Sequence, residues 1–194
     1  MTYWLIADTH FGHDKMIEFC GRPKNFSEDL LASLRCDIGS NDILIHLGDV
    51  CIGKDEHWHD LLMKNCGSFR KWLVRGNHDS KSNTWYLTHG WDFVSYSINL
   101  QLFGKSILFS HIPKADNGYD LNIHGHVHNS GHHDQESELT AIKNEKQILI
   151  AVENTQYRCV NLKTIIEERE KALHTTAPLC HRVRQHNSAD VVVN

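Results

Sequence analysis

Five short groups of side chains with metal-binding chemistry occur in this 194-residue chain, each at or next to the end of a largely apolar run. They are Asp8-Thr9-His10, Gly48-Asp49, Gly76-Asn77-His78-Asp79, Ser110-His111 and Gly125-His126-Val127-His128. Their carboxylate, amide and imidazole ligands suit Mn, Fe, Zn or Ni. Because Gly, Asn and Asp are also ordinary turn residues, no single group is decisive. Five groups in succession nevertheless predict one shared metal site.

Spacing within the groups adds to this prediction. Asp8 and His10 are two residues apart, as are His126 and His128. In an extended chain such residues point to the same side, so each pair could hold one ion or flank two adjacent ions. A glycine precedes Asp49 and also precedes other ligand candidates, which allows tight turns and close approach of the backbone.

Apolar runs predict the strands that carry these groups. We expect strands at 3–7, 43–47, 69–74, 97–103, 106–110, 121–124, 147–152 and 157–160, and helices at 14–20, 28–37, 55–65, 82–89 and 162–173. The first three strands are largely apolar, which is typical of a sheet covered on both faces. The pattern indicates an α/β fold with some antiparallel edges. Ligands in open α/β sheets bind beyond the carboxyl ends of strands, so the five groups can meet there.

The composition limits the class of protein. Apolar residues make up 40% and charged residues 23%, and a net charge of −4 gives no general attraction to nucleic acid or anionic membranes. No apolar run approaches the ~20 residues of a membrane helix, and the N-terminus lacks the features of a signal peptide. We therefore expect a cytoplasmic protein with no membrane partner. One domain is expected at 1–172, followed by a mobile or loosely docked tail at 173–194.

The five groups, taken in order, resemble the motifs of the calcineurin-like metallophosphoesterases: D-x-H, G-D, G-N-H-D/E, a His after a strand, and G-H-x-H. The stretches "DTHFGHDKMIEFCGRP" and "VENTQYRCVNL" are similar to a compact subgroup from bacteria and phages. This resemblance implies that the protein acts in a bacterial cell or a phage-infected host. The resemblance covers about residues 1–170. It implies two packed mixed β-sheets flanked by helices, in four layers, with a metal site at the C-terminal ends of the strands.

The resemblance also implies roles for individual residues. Asp8, His10 and His128 would bind one divalent ion, Asn77, His111 and His126 a second, and Asp49 would bridge both. Mn is favoured, with Fe, Zn, Ni or Mg also compatible. His78 would sit beside the substrate phosphate and act in catalysis, and Asp79 would orient it. A carboxylate that only closes a turn is the alternative for Asp79.

The substrate is the most open question. The resemblance implies a dinuclear phosphoesterase that hydrolyses a phosphate ester by in-line attack of metal-bound hydroxide. We favour a phosphodiester of nucleotide or nucleic-acid type over a phosphomonoester, and an idle metal-binding scaffold for protein interactions is a further alternative. His13, Arg22 and Arg75 are candidate substrate contacts, since guanidinium matches phosphate oxygens. His13 could instead cap a helix, and either arginine could simply be exposed. The oligomeric state is not indicated.

Overall fold

The computed structural model describes residues 1–36, 38–115, 118–129 and 145–176. Its strands are β1 (Tyr3–Ile6), β2 (Ile43–His46), β3 (Arg70–Val74), β4 (Phe93–Ser95), β5 (Ser97–Leu102), β6 (Lys105–Ser110), β7 (Leu121–His124), β8 (Gln147–Leu149) and β9 (Val160–Asn161). Its helices are α1 (Met16–Cys20), α2 (Phe26–Cys36), α3 (Asp55–Asn65), α4 (Asn83–Thr88) and α5 (Leu162–Thr176). The expected tail begins within α5, and its residues 177–194 lie outside the described part of the chain.

The strands form two mixed sheets. The first has the order β4-β3-β2-β1-β9, in which β1 to β4 are parallel and β9 is antiparallel to β1. The second has the order β5-β6-β7-β8, with an antiparallel hairpin followed by parallel pairs. Parallel strands end at the same edge of a sheet, so the polar groups after β1, β2 and β3 must lie side by side.

Both faces of the first sheet are buried, which explains its continuous apolar runs. Along β2, Leu44 packs into a core with residues of α2 and α3, whereas Ile43 and Ile45 pack into a second core with Ile107 and Phe109 of the other sheet. Successive side chains of a strand point to opposite faces, so one strand supplies both cores. The predicted class, two packed mixed sheets with helices, is confirmed.

Several element boundaries differ from the sequence predictions. The strand expected at 97–103 ends at Leu102, because Phe103 and Gly104 form the hairpin turn, with φ of 54° and 72°. Strand β4 was not predicted, because three residues are too short for an alternating pattern. The strand expected at 157–160 starts at Val160, since Gln156 and Tyr157 have φ of 55° and 58°, a left-handed conformation that cannot continue a strand. Within the described ranges, no helix has the length and apolar character needed to cross a membrane.

Candidate metal centre

The loops that follow β1 and β2 pair with each other beyond the sheet. The Asp8 amide donates to the Gly48 carbonyl at 2.9 Å, and the His10 amide donates to the Asp49 carbonyl at 3.0 Å. The second sheet is joined to them by the His126 amide, which donates to the Asp8 carboxylate at 2.9 Å. Backbone hydrogen bonds therefore fix the relative positions of segments far apart in sequence.

The candidate ligands meet as two neighbouring groups. In the first, ligand atoms of Asp8, His10 and His128 lie within 4.8 Å of one another, and in the second the same holds for Asp49, His111 and His126. All six residues are at most 8% exposed. Asn77 adjoins the second group, with its Oδ1 3.0 Å from His111 Nε2.

Asp49 lies between the two groups. Its Oδ2 is 3.7 Å from His10 Nε2 and 3.3 Å from His111 Nε2. Burial alone would raise the pKa of this carboxyl, but the hydrogen bond and charge of His111 outweigh burial and hold it below its usual range. Asp49 is thus an anion that faces both groups. The structure brings all seven predicted ligands together, and metal binding by them is a prediction.

Five of the seven ligand candidates have a left-handed rather than an extended backbone, so the geometry expected for the two residue pairs was wrong. Asp8, His10, Asp49, His126 and His128 have φ of 53°, 46°, 56°, 71° and 50°. Non-glycine residues rarely adopt this left-handed region, and such strain concentrates at functional sites. With this backbone, Asp8 and His10 lie in one ligand group, whereas His126 and His128 lie in different groups.

Two glycines allow the ligand loops to approach closely. A Cβ atom on Gly76 would overlap the Asp49 carboxylate, and one on Gly125 would overlap the Asp8 carboxylate. Neither glycine has a left-handed backbone. Of the two roles expected from the sequence, tight turns and close approach of the backbone, these glycines serve the second. The missing side chain leaves space for a ligand from another segment.

The second group is arranged to receive a cation. His111 Nδ1 is 2.8 Å from the Leu47 carbonyl, so it is the protonated nitrogen and Nε2 is directed at the other ligands. Within 3.3 Å of Nε2 lie Asn77 Oδ1, Asp49 Oδ2 and His126 Nδ1. Burial alone would lower the pKa of His111, but the Asp49 hydrogen bond and the charges of Asp8 and Asp49 raise it to about 9. The site thus favours a positive charge at Nε2, which a metal ion would supply in place of the proton.

The first group also favours a positive charge among its ligand atoms. Burial raises the pKa of Asp8 to about 6, an effect that nearby His111 and His128 partly offset. His10 Nδ1 is buried and has no hydrogen-bond partner among the described residues. Since His10 Nε2 is the nitrogen 3.7 Å from Asp49 Oδ2, it is the ring nitrogen that faces the neighbouring ligand candidates. A divalent ion bound to oxygen and imidazole ligands fits both groups.

Asp79 holds the turn that carries Asn77 and His78. Its Oδ2 accepts hydrogen bonds from the amides of Gly76 and Asp49, both at 2.8 Å, and its Oδ1 accepts one from the Val50 amide at 3.1 Å. His78 is not among its partners in the described part of the chain. The structure thus supports the turn-closing alternative for Asp79 over the orientation of His78.

His78 is instead held by Asp49. Its backbone amide donates to Asp49 Oδ1 at 2.8 Å, and its Nε2 lies 3.9 Å from Asp49 Oδ2. The imidazole is 47% exposed, in contrast to the buried ligand candidates. Together with half-buried His13 and the ligands His10 and His128, it lines a cavity of about 200 Å³. Both His78 and His13 therefore lie where a bound substrate could reach them.

Arg22 is not placed to contact a substrate, which corrects the expectation from the sequence. It is 2% exposed, and its guanidinium donates to the carbonyls of Asp8 and Thr9, each at 2.8 Å. It also pairs with Glu153 at 2.6 Å. Glu153 Oε1 lies 3.3 Å from His128 Nδ1, so this carboxylate connects Arg22 to a ligand candidate.

Glu153 was missed as a site residue in the sequence. The signal that could have found it is the one shared by the ligands, since Glu153 directly follows the apolar run of residues 148–152. Arg75, by contrast, lies at the surface of the site. It donates to the Asp79 carbonyl at 2.6 Å and to the Tyr96 hydroxyl at 2.8 Å, and it lines a second cavity next to Asn77 and His111.

Comparisons with known proteins find several that are similar to this chain. The chain is 28% identical over 179 residues to the uncharacterized protein MJ1445 of Methanocaldococcus jannaschii, covering 87% of this chain and 91% of the relative. The protein of unknown function AQ665 from Aquifex aeolicus is 26% identical in a structural match with a TM-score of 0.67, covering 86% of this chain and 98% of that one. A weaker match is nuclease MPE of Pseudomonas putida, with 24% identity, a TM-score of 0.43 and coverage of 65% and 61%.

The family is decided by a match to a family model. The model described as calcineurin-like phosphoesterase matches residues 1–193, almost the whole chain. Its expected motifs are those whose side chains meet at the two ligand groups. The chain therefore belongs to the calcineurin-like phosphoesterase family and is a metal-dependent phosphoester hydrolase.

Proposed function

We propose that the chain binds two divalent metal ions and hydrolyses a phosphodiester of nucleotide or nucleic-acid type. One ion would be held by Asp8, His10 and His128. The other ion would be held by Asn77, His111 and His126, and Asp49 would bind both ions. We favour Mn because the ligands are oxygen and imidazole without thiolate, although Fe, Zn, Ni and Mg remain compatible. When bound, the ions supply a water molecule acidic enough to attack at neutral pH and positive charge beside the phosphoryl oxygens.

The observation that carries the diester preference is a pair of separate cavities, one at each ligand group. The histidine cavity, of about 200 Å³, is lined by His10, His13, Phe19, His78 and His128 among others. The cationic cavity, of about 210 Å³, is lined by Arg75, Asn77, Tyr96, His111 and Lys114 among others. A diester has a substituent on each side of its phosphate, whereas a monoester has one. Two cavities that reach the same centre suit the diester.

His78 is the residue we propose as proton donor to the leaving oxygen. It is 47% exposed and lies in the histidine cavity, while its backbone is fixed by the Asp49 carboxylate. A positioned imidazole of this kind contributes roughly 10²–10⁴-fold to the rate. His13 is half-buried and lines the same cavity, so we propose it as a further contact to a substrate oxygen. An exposed histidine beside intact ligand groups favours an enzyme over an idle scaffold.

The test is a substrate panel on the chelator-stripped, full-length chain. Bis(p-nitrophenyl) phosphate, p-nitrophenyl phosphate, a cyclic nucleotide and a single-stranded oligonucleotide are each assayed with Mn²⁺, Fe²⁺, Zn²⁺, Ni²⁺ and Mg²⁺. We expect a higher kcat/KM for the diester than for the monoester, highest with Mn²⁺. Metal analysis should give two ions per chain. His10→Ala should remove one of them, and Asp49→Ala should weaken both.

The alternatives have distinct outcomes. A higher kcat/KM for p-nitrophenyl phosphate would replace the diesterase with a phosphomonoesterase. Two bound ions without turnover of any phosphoester would favour the scaffold. A stoichiometry of one ion, with His10→Ala and His126→Ala both losing it, would reject the dinuclear site.

A further inference from the structure

We propose that the cationic cavity binds the half of the substrate that stays attached to phosphorus, and that this half carries a second phosphate group. The inference rests on the proposed phosphodiesterase function and adds the direction of cleavage and the class of substrate. It would make the substrate a nucleotide unit with a phosphate beyond the scissile one, as in an oligonucleotide.

The charges of the two cavities differ. The cationic cavity is lined by the basic residues Arg75 and Lys114, and none of its described lining residues is acidic. The histidine cavity has no Lys or Arg among its described lining residues, which include Met16 and Phe19. A phosphate group is strongly attracted to the first cavity and much less to the second.

Lys114 is held in place by its backbone. Its amide donates to Asn122 Oδ1 at 2.8 Å, and its carbonyl accepts hydrogen bonds from the Tyr119 hydroxyl and from Gln147 Nε2. Asn122 is fully buried, and its amide group in turn donates to Ser110 Oγ at 2.9 Å. Lys114 itself is exposed. A rigid backbone that presents an exposed ammonium beside a cavity is suited to recognition of an anion.

Tyr96 provides an aromatic surface in the same cavity. It is 67% exposed, the Arg75 guanidinium lies 4.8 Å from its ring centroid, and its hydroxyl accepts a hydrogen bond from Arg75 at 2.8 Å. Arg75 also donates to the Asn83 side chain and to the Asp79 carbonyl, so most of its donors are used within the protein. Arg75 thus positions Tyr96 and adds charge, and Tyr96 offers a face on which a base can stack.

The position of His78 sets the direction of cleavage. His78 lines the histidine cavity, while its neighbour Asn77 lines the cationic one. If His78 protonates the leaving oxygen, the leaving group occupies the histidine cavity. Water then forms the new bond to phosphorus, the bond from phosphorus to the leaving oxygen breaks, and that oxygen takes the proton. The products are an alcohol and a phosphomonoester of the half in the cationic cavity.

A matched pair of substrates tests this inference in the Mn²⁺-loaded chain. Thymidine 3′-(p-nitrophenyl phosphate) is compared with its 5′-phosphorylated form, so that the retained half differs by one phosphate. We expect kcat/KM to be about tenfold higher for the phosphorylated form, the effect of one charge-assisted hydrogen bond, and to differ mainly in KM. The advantage should shrink as salt is added.

Lys114→Gln should bring the ratio of the two kcat/KM values close to one. Lys64→Gln, which removes an exposed lysine that does not line the cavity, should leave the ratio unchanged. A ratio near one in the native protein, or an undiminished ratio in Lys114→Gln, would overturn the inference.

Bis(p-nitrophenyl) phosphate separates this failure from failure of the proposed function. If it is hydrolysed while the 5′-phosphate gives no advantage, the phosphodiesterase stands and the cavity assignment is wrong. If no diester is hydrolysed, the function fails, and calorimetry with thymidine 3′,5′-bisphosphate against thymidine 3′-phosphate judges the cavity alone. Equal affinities for these two ligands would reject it.

Discussion

Arg22 and Glu153 form a buried ion pair at 2.6 Å, with side chains 0% and 2% exposed, that joins both halves of the first ligand group. On one side Arg22 holds the carbonyls of Asp8 and Thr9. On the other side Glu153 holds Nδ1 of His128, which leaves Nε2 directed toward Asp8. Partners of this kind orient a ligand and fix its tautomer.

Replacing Glu153 by Gln should therefore be costly. Arg22 would remain buried without its counter-ion, so we expect the free energy of unfolding to fall by roughly 3 kcal/mol. Urea unfolding of the metal-free protein measures this loss. The double variant Arg22→Met with Glu153→Gln should lose much less than the sum of the two single changes. Strictly additive losses would show that the pair does not act as a unit.

The same substitution should weaken metal binding. With His128 no longer held by a carboxylate, we expect the affinity for the first ion to fall about 10–100-fold. Competition with a chelator at fixed Mn²⁺ measures this affinity. Glu167→Gln, which changes an exposed carboxylate on α5, is the control and should bind Mn²⁺ as the native protein does.

Gly76→Ala should disrupt the metal centre without a backbone penalty. The added Cβ would overlap the Asp49 carboxylate, so Asp49 must move away from both ligand groups. We expect both ions to bind much more weakly. Gly67→Ala is the matched control, since a Cβ there would be 3.5 Å from Phe69, an ordinary contact. Equal metal content in the two variants would contradict the proposal that Asp49 binds both ions.

His78→Asn should separate chemistry from metal binding. The backbone hydrogen bond from residue 78 to Asp49 is kept, so metal content should be unchanged. We expect kcat for an alkyl diester such as a dinucleotide to fall roughly 10²–10⁴-fold, since the leaving oxygen loses its acid. His57→Asn, at an exposed position outside both cavities at the ligand groups, should be neutral. Native-like kcat in His78→Asn would remove His78 from the mechanism.

Asp79→Asn distinguishes a turn-closing residue from one that orients His78. An amide has one acceptor oxygen, so at least one of the backbone amides now bound by Asp79 would lose its partner. We expect unfolding free energy to fall by about 1–3 kcal/mol. If Asp79 instead acted through His78, the acidic and basic limbs of the plot of kcat against pH would shift, and the free energy of unfolding would stay the same. Measuring both quantities on one preparation decides between the roles.

Buried His59 should make the fold sensitive to acid. Burial lowers the pKa of His59 from 6.5 to about 4, and its Nδ1 accepts a hydrogen bond from Trp91. The neutral form is favoured in the folded state, so its contribution is complete above pH 6.5 and is lost as the pH falls toward 4. The loss is about 1.4 kcal/mol per pH unit for each proton taken up on unfolding.

The comparison that isolates this effect is His59→Gln, which keeps an acceptor but cannot take up a proton. Urea unfolding in EDTA at pH 7 and pH 5 should show a smaller loss of stability in His59→Gln than in the native chain. An equal loss in both proteins would assign the acid sensitivity to other groups, such as His46 and His124, whose pKa values burial also lowers, to about 3 and about 4.

The sequence by itself determined most of the strands and the set of ligand candidates. Runs such as 43–47 are apolar at every position on both faces except at His46, and this pattern follows directly from burial of the sheet on both sides. Polar groups that follow such runs must lie at the carboxyl edge of the sheet. The order of the motifs then identified the family, because these patterns are local and can be seen within a few residues.

Only the tertiary structure decided which partner each polar side chain has. Arg22 and Glu153 are 131 residues apart, and nothing in either segment specifies the other. Asp79 is adjacent to His78 yet binds the amides of Asp49 and Val50, which are about thirty residues away. The choice among donors within reach depends on how loops from different strands pack, and on left-handed backbone at the ligands that local spacing does not reveal.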